Sequence, residues 1–136
     1  MTGRAPGVTS SGEAPTGFRL RPVSFVRRSG RMSEAQQRAW NDVSPRMLIP
    51  VERDAASTSI RKGSTIDPAA VWGRTAPLIV EIGSGQGHAI VHAATAQPGA
   101  NFLAVEVFRA GLARTMLDAD QANLDNLRLV EGNAPE

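Results

Sequence analysis

The 136-residue chain contains no cysteine and only two histidines, His88 and His92. The lack of cysteine excludes disulfide bonds and cysteine-ligated metals. The histidines lie four residues apart, as metal ligands on a helix can, but the glutamate and third ligand of an H-E-x-x-H site are missing. We therefore predict no metal site, and we can assign no Ser/His/Asp or Cys/His catalytic group.

Long hydrophobic runs are also missing. No apolar stretch approaches the roughly 18–20 residues that span a bilayer. The N-terminus is rich in Gly, Ser, Thr and Pro and lacks the apolar core of a secretory signal. These absences predict a cytoplasmic protein with no membrane partner. The length of the chain suits one domain rather than two.

The small net charge of +2 conceals an uneven distribution. Residues 1–62 carry ten Arg and one Lys against five acidic residues, a net charge of +6. Residues 63–136 carry four Arg against eight acidic residues, a net charge of −4. The basic half suggests contact with a polyanion and the acidic half suggests a smaller ligand, although a solvated basic surface explains the charge equally well.

The first half of the chain divides into two predicted parts. Residues 1–22 lack periodicity and predict a disordered tail. Residues 23–76 predict a basic segment with short helices, within which residues 55–68 resemble a linker. Its first helix begins at Glu34, after a capping box, and is expected to end before Pro45.

Two further signals define the helices of this segment. Ser33 and Gln36 have the spacing of the capping box, and the apolar run 47–51 is expected to pack against the core. Asp67 is expected to cap a short helix that Gly73 ends.

The second half, residues 77–136, alternates apolar runs with helical patterns. Parallel strands buried on both faces read as such continuous apolar runs. The predicted order is β-α-β-α-β, half of a doubly wound, Rossmann-like α/β sheet. The predicted strands are 78–82, 101–107 and 127–131, and the predicted helices are 88–96 and about 109–122.

A glycine-rich loop follows the first predicted strand in the segment I-V-E-I-G-S-G-Q-G. Gly83 and Gly85 allow a sharp turn and a close approach of ligand to backbone, and Gly87 is expected to let the next helix sit close to the strand. A histidine replaces the third glycine of the dinucleotide fingerprint. Glu81 would repel a pyrophosphate and attract an ammonium group. The loop therefore predicts S-adenosylmethionine as cofactor, the alternative being a glycine turn beside a solvated glutamate.

Polar residues also end the other two strands. Glu106 is placed to accept hydrogen bonds from both ribose hydroxyls. Asn133 is placed to bond the adenine edge, with a backbone contact from Ala134. A solvated carboxylate and a turn-forming asparagine are the alternatives. Near the N-terminus, Arg27, Arg28 and Arg31 lie close to Phe25 and suggest that this segment contacts RNA, the alternative being a solvated charged surface.

Three stretches together resemble the bacterial tRNA (guanine-N7)-methyltransferase family. They are V-E-I-G-S-G-Q-G-H, N-F-L-A-V-E-V-F-R-A-G-L-A-R and N-L-R-L-V-E-G-N-A, and S-F-V-R-R-S-G-R-M-S-E-A-Q-Q-R-A resembles the family's entry segment. The resemblance covers roughly residues 23–49 and 77–136. It implies a class I S-adenosylmethionine-dependent fold and methylation of guanine N7 in the variable region of tRNA.

The resemblance also implies that Glu81, Glu106 and Asn133 contact the cofactor, although many relatives have Asp in place of Asn133. The family's substrate-side residues follow a fourth strand and are not in this sequence. We therefore expect an incomplete S-adenosylmethionine-binding domain over 77–136, with no catalytic residue and no activity on its own. A class I methyltransferase of a small molecule or protein, and a non-catalytic nucleotide- or RNA-binding module, remain alternative hypotheses.

Overall fold

Three parallel strands and four helices form the structure of this chain, a computed structural model that describes residues 31–53 and 59–134. Strand order is β1-β2-β3, which confirms the predicted β-α-β-α-β half of a doubly wound sheet. The predicted tail 1–22 lies outside the described residues. The elements are α1 Glu34–Met47, α2 Pro68–Trp72, β1 Leu78–Ile82, α3 His88–Ala96, β2 Asn101–Glu106, α4 Arg109–Gln121 and β3 Leu127–Glu131.

The first helix begins as predicted but ends later. The Ser33 hydroxyl accepts from the Gln36 N–H at 3.1 Å, and the Gln36 side chain accepts from the Ser33 N–H at 2.8 Å, completing the capping box. The predicted stop at Pro45 is wrong, because α1 continues to Met47. Met47 is fully buried, so packing of the last turn offsets the hydrogen bond that proline cannot donate.

Two other helix ends follow from local chemistry. The Asp67 side chain accepts from the Ala69 N–H, and Gly73 ends α2 in the left-handed region at φ 71°. After α4, Asn123 adopts φ 56°, which asparagine tolerates better than most residues. The predicted caps of α2 are confirmed.

Both faces of the sheet carry a buried apolar cluster. Helices α1, α3 and α4 cover one face, where Phe102, Leu127 and Leu129 are fully buried. The other face packs Leu103, Val105 and Val130 against Trp72 and Ile60. The burial of Ile60 corrects the linker prediction in part, because residues 59 and 60 form ordered bridges.

The two edges of the sheet differ. Residues 48 and 49 run beside β3, where the Ile49 N–H donates to the Leu129 carbonyl at 2.7 Å. Among the described residues, β1 pairs only with β2, and Val80 and Ile82 are 47% and 61% exposed. The prediction of a buried first strand is therefore wrong for this chain, since β1 occupies an edge. No helix in the described ranges is long and apolar enough to cross a membrane.

Candidate functional site

The loop between β1 and α3 uses glycine where the backbone requires it. Gly83, Gly85 and Gly87 have φ angles of 78°, 62° and 84°, a region that other residues rarely adopt. The Gly83 N–H donates to the Val105 carbonyl at 2.7 Å, which fixes the loop to the end of β2. The loop thus turns sharply at the carboxyl end of the sheet, where ligands bind in open α/β folds.

Helix α4 packs directly beneath this loop. A Cβ atom added to Gly111 would lie 2.3 Å from the Gly85 carbonyl oxygen. A Cβ atom added to Gly87 would lie 2.1 Å from the Thr115 hydroxyl. The close neighbour of Gly87 is therefore α4, and its predicted role in letting α3 sit close to its strand stays a prediction.

Sequence reasoning overlooked Gly111 and Thr115, the residues of α4 that contact the loop. A glycine within a helix lowers its stability by about 1 kcal/mol relative to alanine, so such a position usually has a packing reason. Gly111 in the first turn of α4 was therefore a signal in the sequence. Thr115 gave no such signal in the sequence. In the structure its hydroxyl donates to the Gly111 carbonyl within the same helix.

Glu106, at the end of β2, is buried and bonded to the backbone around it. One carboxylate oxygen accepts from the Gly85 N–H at 2.6 Å. The other accepts from the N–H groups of Val107 and Phe108 at 2.9 and 3.0 Å. The carboxylate therefore joins the glycine loop to the start of α4, where a negative charge also complements the helix dipole.

A crevice of about 90 Å³ opens at the ends of the strands. It brings together four residues that the sequence singled out and adds apolar walls. Its lining includes Gly83, Glu106, Asn133 and Ala134, with Ile82 and Val105. We call it the strand-end crevice, and its mixture of apolar walls and a few polar groups is typical of small-molecule sites.

Glu81 does not line this crevice. It is half-buried on β1 and pairs in register with Ala104. Since side chains alternate along a strand, Glu81 and Glu106 lie on the same face of the sheet. The two predicted carboxylates thus share a face, but the structure places only Glu106 in the crevice lining.

An arginine links the first helix to the end of β3. Arg109 donates to both carboxylate oxygens of Glu131 at 2.9 and 3.0 Å. Its guanidinium also lies 4.6 Å from the centroid of the Trp40 ring on α1. The hydrogen bonds to Glu131 raise the pKa of Arg109 above its ordinary value. Sequence reasoning missed this contact, because residues 40, 109 and 131 are far apart along the chain and no local motif connects them.

Among the described residues, Arg31, His88 and His92 do not line the crevice. Arg31 is exposed just before α1, whereas Arg27 and Arg28 lie outside the described residues. His88 and His92 are exposed on α3. Within residues 31–53 and 59–134, no three His, Asp or Glu side chains are grouped so that they could hold a metal ion.

Comparison with known proteins gives a consistent result. Residues 75–136 match a family model described as putative methyltransferase. A protein named tRNA (guanine-N(7)-)-methyltransferase from Paenarthrobacter aurescens (strain TC1) is 50% identical over 95% of this chain and 43% of its own length. A protein of that name from Arthrobacter sp. (strain FB24) is 48% identical over 95% of this chain and 41% of its own length. Another from Bifidobacterium longum (strain NCC 2705) is 45% identical over 94% of this chain and 46% of its own length. The chain thus spans less than half the length of these relatives.

Proposed function

We propose, because this chain belongs to the bacterial tRNA (guanine-N7)-methyltransferase family, that the whole protein transfers a methyl group from S-adenosylmethionine to guanine N7 in tRNA. The target we propose is the guanine of the variable region, and the compartment is the cytoplasm. The observation that carries the proposal is the 50% identity over 95% of the chain.

The crevice residues fit the cofactor. Apolar side chains of Ile82 and Val105 suit the faces of a base, and the Asn133 amide suits a base edge. The two Glu106 oxygens have four lone pairs, and three of them accept backbone N–H groups, so one lone pair on Oε1 is left to accept from a ribose hydroxyl. Glu81, on the same sheet face, would hold the ammonium of the amino-acid tail.

The cofactor supplies, when bound, a methyl group activated by a sulfonium charge. Guanine N7 already carries a free lone pair and needs no strong base. The task of the protein is then alignment of the two reacting atoms, which can contribute several kcal/mol. This requirement agrees with the role we propose for the crevice residues, which is to bind and orient the cofactor.

Methylation of unmodified tRNA by the whole protein tests the reaction. We expect 7-methylguanosine at one position in tRNA transcribed with guanosine, and no product in the same tRNA transcribed with 7-deazaguanosine, which lacks the N7 lone pair. Methylation of the deaza transcript would contradict N7 as the target. Activity on a small molecule or protein instead, or cofactor binding without any transfer, would favour the alternative hypotheses.

Calorimetric titration of S-adenosylmethionine tests the cofactor role of Glu81. We expect Glu81→Ala to weaken binding by roughly ten- to a hundredfold, the loss of one charge-assisted hydrogen bond. Glu52→Ala, which removes a carboxylate outside the crevice lining, should leave the affinity unchanged. Equal affinities for the wild type and Glu81→Ala would refute the assignment of Glu81.

A further inference from the structure

A short basic ribbon borders the strand-end crevice. It is formed by residues 51–53 and 59–62, and we call it the basic ribbon. Arg53 and Ile60 form an antiparallel bridge, and the Arg61 N–H donates to the Glu52 carbonyl at 2.9 Å. These bonds give the two stretches a defined register, so their side chains have fixed neighbours.

The ribbon is attached to the chain that lines the crevice. The Ile60 N–H donates to the Asn133 carbonyl at 3.0 Å, and Ser59 bridges Asn133 in a parallel manner. Ile60 is 7% exposed and belongs to the same apolar cluster as Val105 and Val130. Since Asn133 and Val105 also line the crevice, the ribbon holds a fixed position at its rim.

The charge of the ribbon is positive and accessible. Arg53, Arg61 and Lys62 are exposed, and Glu52 is the one acidic residue among the ribbon residues defined above. Glu52 forms an ion pair with Arg61 in which both side chains are more than 60% exposed. Such exposed pairs contribute about 0–1 kcal/mol, so an incoming phosphate can replace the carboxylate.

The crevice itself offers a polyanion little attraction. The charged residue in its lining is Glu106, a carboxylate, and Glu81 adds a second on the same sheet face. Arg109, near the end of β3, is already paired with Glu131. A nucleic acid that presents a base to this crevice therefore needs cations at the rim, where the ribbon supplies them.

We propose that the basic ribbon is an RNA phosphate-contact surface, with Arg53, Arg61 and Lys62 as the contacting residues and Glu52 as a built-in competitor. The inference rests on the proposed function for the identity of the polyanion. It is independent of the predicted contacts Arg27, Arg28 and Arg31, because the ribbon is a different segment of the chain.

The salt dependence of tRNA binding by the whole protein tests the ribbon. We expect replacement of Arg53, Arg61 and Lys62 by alanine to weaken binding at least tenfold in 50 mM salt, and to lower the slope of log K against log salt by about 2. Replacement of the two arginines by lysine, with Lys62 kept, should restore most of the slope. Cofactor affinity and melting temperature should match the wild type, because the three side chains lie on the surface.

Two single variants sharpen the test. Glu52→Gln should strengthen tRNA binding a few-fold, since it releases Arg61 from its partner. Lys62→Ala should weaken binding more than Arg38→Ala, which removes another exposed charge, from α1. A slope unchanged in the triple variant, or a Glu52→Gln protein that binds tRNA no better than the wild type, would overturn the proposal.

These outcomes separate the ribbon from the enzymatic function. If the ribbon variants weaken tRNA binding but the wild-type protein methylates nothing, the ribbon proposal stands and the proposed function is refuted. If the wild-type protein methylates guanine N7 but the triple variant keeps the same salt slope, the proposed function stands and the ribbon proposal is refuted.

Discussion

The Glu106 carboxylate accepts three backbone hydrogen bonds without any ligand. Hydrogen bonds to a charged group contribute roughly 1.5–3 kcal/mol each, so this residue is a strong determinant of loop position. A glutamine would place an amide N–H₂ against at least one backbone donor. Glu106 therefore organises the glycine loop, and its predicted contact with a ribose adds to that structural role.

Gly111 provides a residue-scale prediction about the same loop. Gly111→Ala places a methyl group against the Gly85 carbonyl, where the added Cβ would lie at 2.3 Å. Since both groups are held by backbone, either the loop or α4 must move, at a cost of about 1–3 kcal/mol. We expect a lower melting temperature and at least tenfold weaker S-adenosylmethionine binding in the whole protein.

Gly99→Ala is the matched control. No atom lies within 4 Å of the added Cβ, and the φ angle of Gly99 is not in the left-handed region. This variant should bind cofactor like the wild type and be as stable or slightly more stable. If Gly111→Ala were also indistinguishable from the wild type, the packing of α4 against the loop would not position it.

At the scale of elements, α1 is fixed to α4 and β3 by several different contacts. Arg46 forms an ion pair with Asp120 near the end of α4. Leu48 bridges Leu129 in β3, and Met47 fills the core beneath. These contacts explain why α1 tolerates Pro45 in its last turn, since the helix is held by its neighbours as well as by its own hydrogen bonds.

The contact of Trp40 with Arg109 gives a prediction about this joint. A double-mutant cycle with Trp40→Leu and Arg109→Gln should yield a coupling free energy of about 0.5–1 kcal/mol in chemical unfolding, because the guanidinium is partly exposed. The same cycle with Trp40→Leu and Arg114→Gln serves as control, since Arg114 pairs with Asp118 in its own helix. Equal coupling in both cycles would contradict a specific contact.

At the scale of the whole molecule, β2 is buried, whereas β1 is an open edge among the described residues. Leu78, Ile79, Val80 and Ile82 of β1 are between 38% and 61% exposed. An apolar edge strand with free backbone groups is a template for pairing with another chain. Within the described residues, β1 is therefore the surface most prone to association.

We expect the 136-residue chain, when expressed alone, to self-associate through this edge. Val80→Lys should reduce the association, because an edge lysine must desolvate its charge when a second strand pairs. Ala89→Lys adds the same charge at an exposed position of α3 and should have little effect. Sedimentation velocity measures the outcome, and equal association of both variants would place the contact elsewhere.

Local patterns in the sequence determined much of the fold. The capping box at Ser33, the cap at Asp67 and the stop at Gly73 depend on neighbouring residues, and all three are confirmed. The bounds of β1, α3 and β3 match their predictions as well. These features are predictable because the interactions that define them span a few residues of chain.

Tertiary structure decided the features that join distant residues. The packing of Gly111 against Gly85, the contact of Arg109 with Trp40 and the attachment of Ile60 to Asn133 each link segments that the sequence leaves unrelated. The sequence by itself predicted that the glycine loop meets the strand-end residues Glu106 and Asn133 at one edge of the sheet, where Gly83, Glu106 and Asn133 line one crevice. Only the folded chain determined which backbone and which helix hold that site in place, because burial and close approach exist only after the segments meet.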